Sequence, residues 1–157
     1  MTSLLTVTEA VAVLADVGAP LSARQVRYLG LEPAQRWPGQ NGGRLFDAVD
    51  LTLLAIFAEI VSQCRTWELP IWSARAVLLY REAELRRAIT RRAPRFLLVD
   101  PLRGTAVLSE TADSTQYAID VRALAGRVAS AVRTYRAARP SIWTGAERVP
   151  LTAASCM

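Results

Sequence analysis

Chain breakers in the first third of the sequence restrict that region to short helices and a short hairpin. A first helical pattern ends at the breaker Val17-Gly18-Ala19-Pro20, and a second ends at Gly30. A tight hairpin turn is predicted at Asn41-Gly42-Gly43, because these residues accept positive φ angles. A longer apolar stretch begins only after Asp47. The order helix, helix, hairpin, helix is therefore the main constraint on the fold.

The three helices of this region have start signals in the sequence. Thr6 is followed by Glu9 in the capping-box pattern, and this helix should end near Asp16. Ser22 is expected to cap the second helix, and Asp47 to start the third. Apolar residues at helical spacing are expected to face the core: Val7, Val11 and Leu14 in the first helix, Val26 and Leu29 in the second, and Val49, Leu53, Ile56, Phe57 and Ile60 in the third.

A second set of elements is predicted after the third helix, which should end near Cys64. The segment Glu68-Leu69-Pro70 marks a boundary, and a fourth helix, capped by Ser73, should run to about Arg92 before Pro94. The remaining elements are two strands joined by a turn, a short third strand and a final helix capped by Asp120, with Leu124, Val128 and Val132 on its buried face. The strands are expected at 95–100, 105–109 and 117–119, and the final helix should reach about residue 136.

These elements predict a mainly α protein with a small β component. The predicted organisation is a winged helix-turn-helix over residues 1–65, a linking helix over 66–94, a small α+β unit over 95–138 and an irregular tail over 139–157. A chain of 157 residues that is 52% hydrophobic can form a packed core, as one domain or as a small domain with an appendage.

Positive charge is concentrated in the second helix and the hairpin. The net charge of +5 is modest, and all 19 basic residues are arginine, which a GC-rich coding sequence would explain. Between Ser22 and Leu45, however, four arginines (Arg24, Arg27, Arg36 and Arg44) stand against one acid, Glu32. This pattern is consistent either with a solvated helix face or with a surface that grips duplex DNA.

The segment Thr6–Ile60 resembles the winged helix-turn-helix of MerR-type transcription regulators. The resemblance is carried by Thr8-Glu9-Ala10, Ser22-Ala23-Arg24-Gln25-Val26-Arg27-Tyr28, Gly43-Arg44-Leu45-Phe46 and Asp50-Leu51. It covers about a third of the chain, and Phe46 stands where the family usually has tyrosine. In that family the second helix enters the major groove, and the wing contacts the sugar-phosphate backbone.

The resemblance implies a role for each matching residue. Arg24 and Gln25 would face base edges, since arginine pairs with guanine and glutamine with adenine. Arg27, Tyr28 and Arg44 would bind phosphates. The full predicted DNA-binding set is Ser22, Arg24, Gln25, Arg27, Tyr28, Arg36, Gly43 and Arg44.

Several other classes of function are disfavoured. Histidine is absent, Cys64 and Cys156 are far apart, and no zinc spacing, nucleotide-binding loop or nucleophile motif occurs, so we expect no metal, no cofactor and no enzyme activity. Asp50 and Glu59 interrupt the longest apolar stretch, so we expect no membrane association and a cytoplasmic location.

We therefore expect sequence-specific binding of double-stranded DNA, most simply in transcriptional control. One such module covers few base pairs, so a homodimer is expected, with the C-terminal hairpin and helix as its interface. The alternatives are a protein-interaction adaptor on a winged-helix scaffold, or an excisionase-like or phage DNA-architecture protein. The dense arginine run between Arg81 and Arg95 is interpreted as a solvated helix face, since Glu82 and Glu84 partly neutralise it.

Overall fold

A computed structural model of the chain describes residues 4–31, 35–36, 44–138, 143–144 and 147–148. Six helices and seven strands lie within these ranges. The helices are α1 (Val7–Asp16), α2 (Ala23–Leu29), α3 (Ala48–Cys64), α4 (Ile71–Tyr80), α5 (Glu82–Arg91) and α6 (Val121–Ala138). The strands are β1 (Gln35–Arg36), β2 (Arg44–Leu45), β3 (Phe96–Asp100), β4 (Thr105–Ser109), β5 (Tyr117–Asp120), β6 (Trp143–Thr144) and β7 (Glu147–Arg148). The predicted composition, mainly α with a small β component, is confirmed.

Reciprocal capping boxes begin the first three helices. Thr6 and Glu9 cap α1 as predicted, and Asp47 forms the same motif with Asp50 at the start of α3. The α2 helix has a capping box as well, between Ser22 and Gln25. These local bonds satisfy backbone N–H groups that have no partner in the first helical turn. The starts of all three helices are thus determined by nearby sequence.

Strand pairing connects the N-terminal segment to the hairpin. β1 and β2 are antiparallel, with Arg36 opposite Arg44. The next residue after β2, Phe46, exchanges two backbone hydrogen bonds of 2.8 Å with Leu5. The predicted turn at 41–43 lies outside the described residues. The α1–α2 pair, the β1–β2 pair and α3 therefore follow one another in the predicted order.

The α3 helix lies at the centre of the molecule. The sequence predicted a broad apolar stripe, but Leu51, Leu54 and Ala55 are buried as well, so nearly the whole circumference of α3 is covered. α3 packs against α4, α5 and α6, and also against α1 and α2. A helix that is apolar on all sides is stable only when other elements surround it.

The predicted fourth helix is wrong in its start and its continuity. The helix begins at Ile71, directly after Pro70, rather than after a Ser73 cap, and no side chain caps it. It then breaks at Arg81, which separates α4 from α5. Pro70 fits the N-terminal position because it has no N–H to leave unpaired.

A three-stranded antiparallel sheet follows, in the order β4-β3-β5. Asp120 ends β5 and also caps α6, since its Oδ1 accepts a hydrogen bond of 2.9 Å from Ala123 N. Leu124, Val128 and Val132 are buried as predicted. The α6 helix returns across the molecule to pack against α3 and α1.

One buried cluster contains residues from all three predicted segments, from Leu5 through Val77 to Val132. The division at residues 65 and 94 stays a prediction, and no break in the core coincides with it.

Within the predicted tail, β6 and β7 pair with each other. Cys64 is buried and free. None of the described helices has the length and apolar character needed to cross a membrane.

Candidate nucleic-acid interface

The α2 helix exposes two arginines on one side. Arg24 and Arg27 are three residues apart, so they are neighbours on the helix surface. Both are exposed, whereas Val26 and Leu29 on the opposite side are buried. The apolar side fixes the helix against α1 and α3, and this leaves both guanidinium groups directed outward.

Arg44 of β2 extends this cationic surface. Its Nη1 atom lies 3.5 Å from the backbone oxygen of Arg27, which brings the hairpin strand next to the end of α2. Within the described ranges, none of Arg24, Arg27 and Arg44 forms an ion pair with a carboxylate. We call these three residues the arginine face. An outward cluster of unpaired guanidinium groups attracts a polyanion.

Gln25 and Ser22 have local structural partners. Ser22 N donates to Gln25 Oε1 at 2.9 Å, and Gln25 N donates to Ser22 Oγ at 3.1 Å. Recognition of adenine by glutamine needs the amide oxygen as an acceptor and the amide nitrogen as a donor. The capping box folds the side chain of Gln25 back against the start of α2, with its oxygen already accepting one hydrogen bond. Of the two residues expected at base edges, Arg24 is the one whose side chain has no hydrogen-bond or ion-pair partner among the described residues.

Tyr28 is 45% exposed and lies under an arginine of a later helix. The guanidinium carbon of Arg75, in α4, is 5.9 Å from the centre of the Tyr28 ring. Arg75 Nε also donates to the backbone oxygens of Tyr28 and Leu29, at 3.1 Å each. Sequence analysis missed Arg75, because no local spacing relates it to a helix almost fifty positions earlier.

Other arginines are occupied inside the fold. Arg86 of α5 bonds to the fully buried Asp50 at 2.8 Å and to Glu82 at 3.1 Å. Burial alone would lower the pKa of Arg86, but the hydrogen bonds and charges of these two carboxylates outweigh it and raise the pKa. For the carboxyl group of Asp47, which caps α3, burial acts in the opposite direction and raises the pKa. Arg86 thereby ties α5 to the start of α3.

Arg136 of α6 has a similar role at the start of α1. Its side chain is only 11% exposed, and it pairs with Glu9 of the capping box at 3.4 Å. Its Nη2 atom donates to the backbone oxygen of Leu4. The buried Nε atom has no hydrogen-bond partner among the described residues.

The arginine run between Arg81 and Arg95 is paired in part, and Arg87, Arg91 and Arg92 are exposed without an ion pair among the described residues. Arg81 bonds to Glu84 at 3.0 Å, and Arg95 bonds to Asp120 at 2.7 Å. Arg81 Nε also donates to the backbone oxygen of Ala106 at 2.8 Å, so a carbonyl of the edge strand β4 is already engaged. That contact occupies part of the edge predicted for dimer formation.

The two remaining predicted site residues, Arg36 and Gly43, are covered by the structure only in part or not at all. Arg36 is placed in β1 by its backbone pairing, but its side chain is outside the described residues, as is Gly43. Comparison of the chain with known protein families and with curated proteins gives no match.

Proposed function

We propose that the chain binds double-stranded DNA through a winged helix-turn-helix made of α1, α2, the β1–β2 hairpin and α3. The observation that carries this proposal is that Arg24, Arg27 and Arg44 are not paired with carboxylates in the described part of the chain. Six other arginines form such pairs within the described ranges. Unpaired arginines on a short exposed helix and an adjacent strand suit contacts with bases and phosphates.

The proposed roles follow from position. α2 lies in the major groove, and Arg24 near its start contacts base edges, most simply O6 and N7 of guanine. Arg27 and Arg44 bind backbone phosphates and set the position of the helix. The Gln25 amide oxygen stays in the capping box, so Gln25 does not make the two-bond contact with adenine. Transcriptional control is the simplest use of such binding.

The first experiment selects bound sequences from a random duplex pool and then measures affinity for the selected site over a range of salt. We expect a steep loss of affinity as salt rises, because binding releases condensed counterions. Arg24→Ala should weaken discrimination at one base position by about 1–3 kcal/mol. Arg44→Ala should weaken binding to all sequences alike.

Arg133→Ala is the matched control, since Arg133 is also exposed on a helix and forms no ion pair within the described residues. It should bind as the wild type does. Absence of salt-sensitive retention on any duplex would overturn the proposed function. Equal effects of Arg24→Ala and Arg133→Ala would overturn the assignment of the base-contacting residue.

A second candidate function is a protein-interaction adaptor. The observation that favours it is that α4 exposes two large aromatic side chains, Trp72 at 64% and Tyr80 at 82%. Large exposed apolar side chains are typical of protein contact sites. An adaptor would tolerate the loss of Arg24, Arg27 and Arg44 together but would lose its partner on Trp72→Ala. The same variants therefore separate the two functions.

A further inference from the structure

Two arginines from different elements cover the C-terminal end of α2. Arg44 approaches the backbone oxygen of Arg27, and Arg75 Nε donates to the next two backbone oxygens, those of Tyr28 and Leu29. Three successive carbonyls of the last helical turn thus face guanidinium groups. The arrangement joins β2 and α4 at one end of the helix that carries the arginine face.

These two arginines change the electrostatics of the C-terminal end of α2. The C-terminus of a helix carries a partial negative charge of about −0.5, which repels phosphate. Two guanidinium groups, each with a full positive charge, outweigh that dipole. The end of α2 is thereby converted from a surface that repels anions into one that attracts them.

Arg75 is also oriented in advance. Its Nε bonds and its position over the Tyr28 ring hold the guanidinium group, while its Nη atoms have no hydrogen-bond or ion-pair partner among the described residues. Two terminal amino groups in a fixed plane match the oxygens of a phosphate. Gly30 provides the room, since its φ is +69° and an added Cβ would lie 3.2 Å from Arg75 Nη2.

We propose that Arg75 is a further DNA-binding residue, which holds a backbone phosphate together with Arg44 at the C-terminal end of α2. This inference rests on the proposed function. It extends the DNA-binding surface from the first three helices to α4. Arg75 contributes no base preference, because a phosphate contact carries no sequence information by itself.

The test counts phosphate contacts from the salt dependence of binding. Affinity for the selected duplex is measured by fluorescence anisotropy between 50 and 200 mM salt for the wild type, Arg75→Gln, Arg75→Lys and Arg87→Gln. One lost contact should make the slope of log affinity against log salt shallower by about 0.9. The total loss of affinity between the two salt concentrations should then be smaller than that of the wild type by a factor of about 3.5. Arg87 is the control, since it is exposed on α5 and has no ion pair within the described part of the chain.

We expect a shallower slope for Arg75→Gln alone and an unchanged selected sequence. Arg75→Lys retains the charge and should keep the wild-type slope. If the wild type binds with a steep slope that Arg75→Gln leaves unchanged, Arg75 only supports the helix, and this inference fails while the proposed function stands. If the wild type shows no salt-dependent binding, both fail.

A second measurement requires no variant and applies if Arg75→Gln does not fold. The Nη–H signals of Arg75 in the wild type are followed by NMR as the selected duplex is added. A shift of these signals that is reversed by high salt supports the phosphate contact. Unchanged Arg75 signals, with shifts at Arg24 and Arg44, would overturn it.

Discussion

The arginines of α2 and β2 differ from Arg86 of α5 and Arg136 of α6 in what surrounds them. Arg24 and Arg27 point outward without a carboxylate partner among the described residues. Arg86 and Arg136 reach into the capping boxes of α3 and α1, where their partners are buried or half-buried. The same residue type thus stabilises the fold at some positions and is left available for a partner at others.

This difference explains why net charge is a poor guide to function here. The arginine run between Arg81 and Arg95 is denser than the pair in α2, but the carboxylates of Asp50, Glu82 and Glu84 neutralise Arg81 and Arg86 within it. A partner that seeks positive charge responds to unpaired groups rather than to the number of arginines. Substitution of Arg86 or Arg136 should therefore reduce stability, whereas substitution of Arg24 or Arg27 should reduce binding.

The largest effect on stability is expected from Arg86→Met. It leaves the buried Asp50 carboxylate without its arginine, and breaking such a pair should cost about 3 kcal/mol. Urea denaturation followed by circular dichroism measures the change. Arg87→Met, one position further along α5, should be nearly neutral. Equal stability of the two variants would show that the Arg86 contact adds nothing.

Arg136→Met should have the next largest effect, about 2 kcal/mol. The substitution leaves the Leu4 carbonyl without its side-chain donor and removes the charge paired with Glu9. Thermal unfolding compared with Arg133→Met, an exposed position on the same helix, measures it. A midpoint as high as that of Arg133→Met would contradict the anchoring of α1 by α6.

Gly30→Ala links stability to binding. Both Gly30 and Gly18 have positive φ, so alanine at either position should cost about 1 kcal/mol. Only at Gly30 would the new Cβ meet Arg75, whereas it meets nothing within 4 Å at Gly18. Gly30→Ala should therefore also weaken DNA binding, and Gly18→Ala should not. Equal affinities of the two variants would show that the position of Arg75 does not affect the interface.

The smallest effect is expected on how folding stability changes at acidic pH. The hydrogen bond from Arg95 holds the pKa of Asp120 below its ordinary value of 3.8 in the folded chain. A lowered acid pKa stabilises the fold fully above the unfolded value, and this contribution is lost as pH falls through the folded value. Asp120→Asn keeps a capping oxygen for Ala123 N, so it isolates the charge.

The urea midpoint of Asp120→Asn, followed from pH 7 to pH 2, should lie below that of the wild type at neutral pH and converge with it in acid. Asp16→Asn is the control, because Asp16 is exposed and has no ion pair in the described segments. A difference between Asp120→Asn and the wild type that stays constant with pH would contradict the linkage.

Local signals predicted the beginnings and ends of many elements. Thr6 with Glu9, Asp47 and Gly30 determine helix boundaries through bonds to residues within four positions, so the sequence alone was sufficient. The capping role of Gln25 could also have been predicted, since a glutamine three residues after Ser22 is a capping-box pattern.

Contacts between distant segments could not be predicted in this way. The break at Arg81 has no glycine or proline signal, and Arg81 there bonds to the backbone of Ala106 in β4. The contact of Arg75 with the end of α2 joins residues almost fifty positions apart. Whether an arginine is free or paired depends on such tertiary contacts, so the candidate site was predicted only in part.

The central claim is that Arg24, Arg27 and Arg44 on α2 and β2 are available for DNA, whereas Arg86 of α5 and Arg136 of α6 anchor the fold. One titration tests it: the Nε–H signals of all arginines are followed by two-dimensional NMR as the selected duplex is added. We expect large shifts at Arg24, Arg27 and Arg44, and almost none at Arg86 and Arg136. Shifts concentrated on α5, with the arginine face unchanged, would contradict the account.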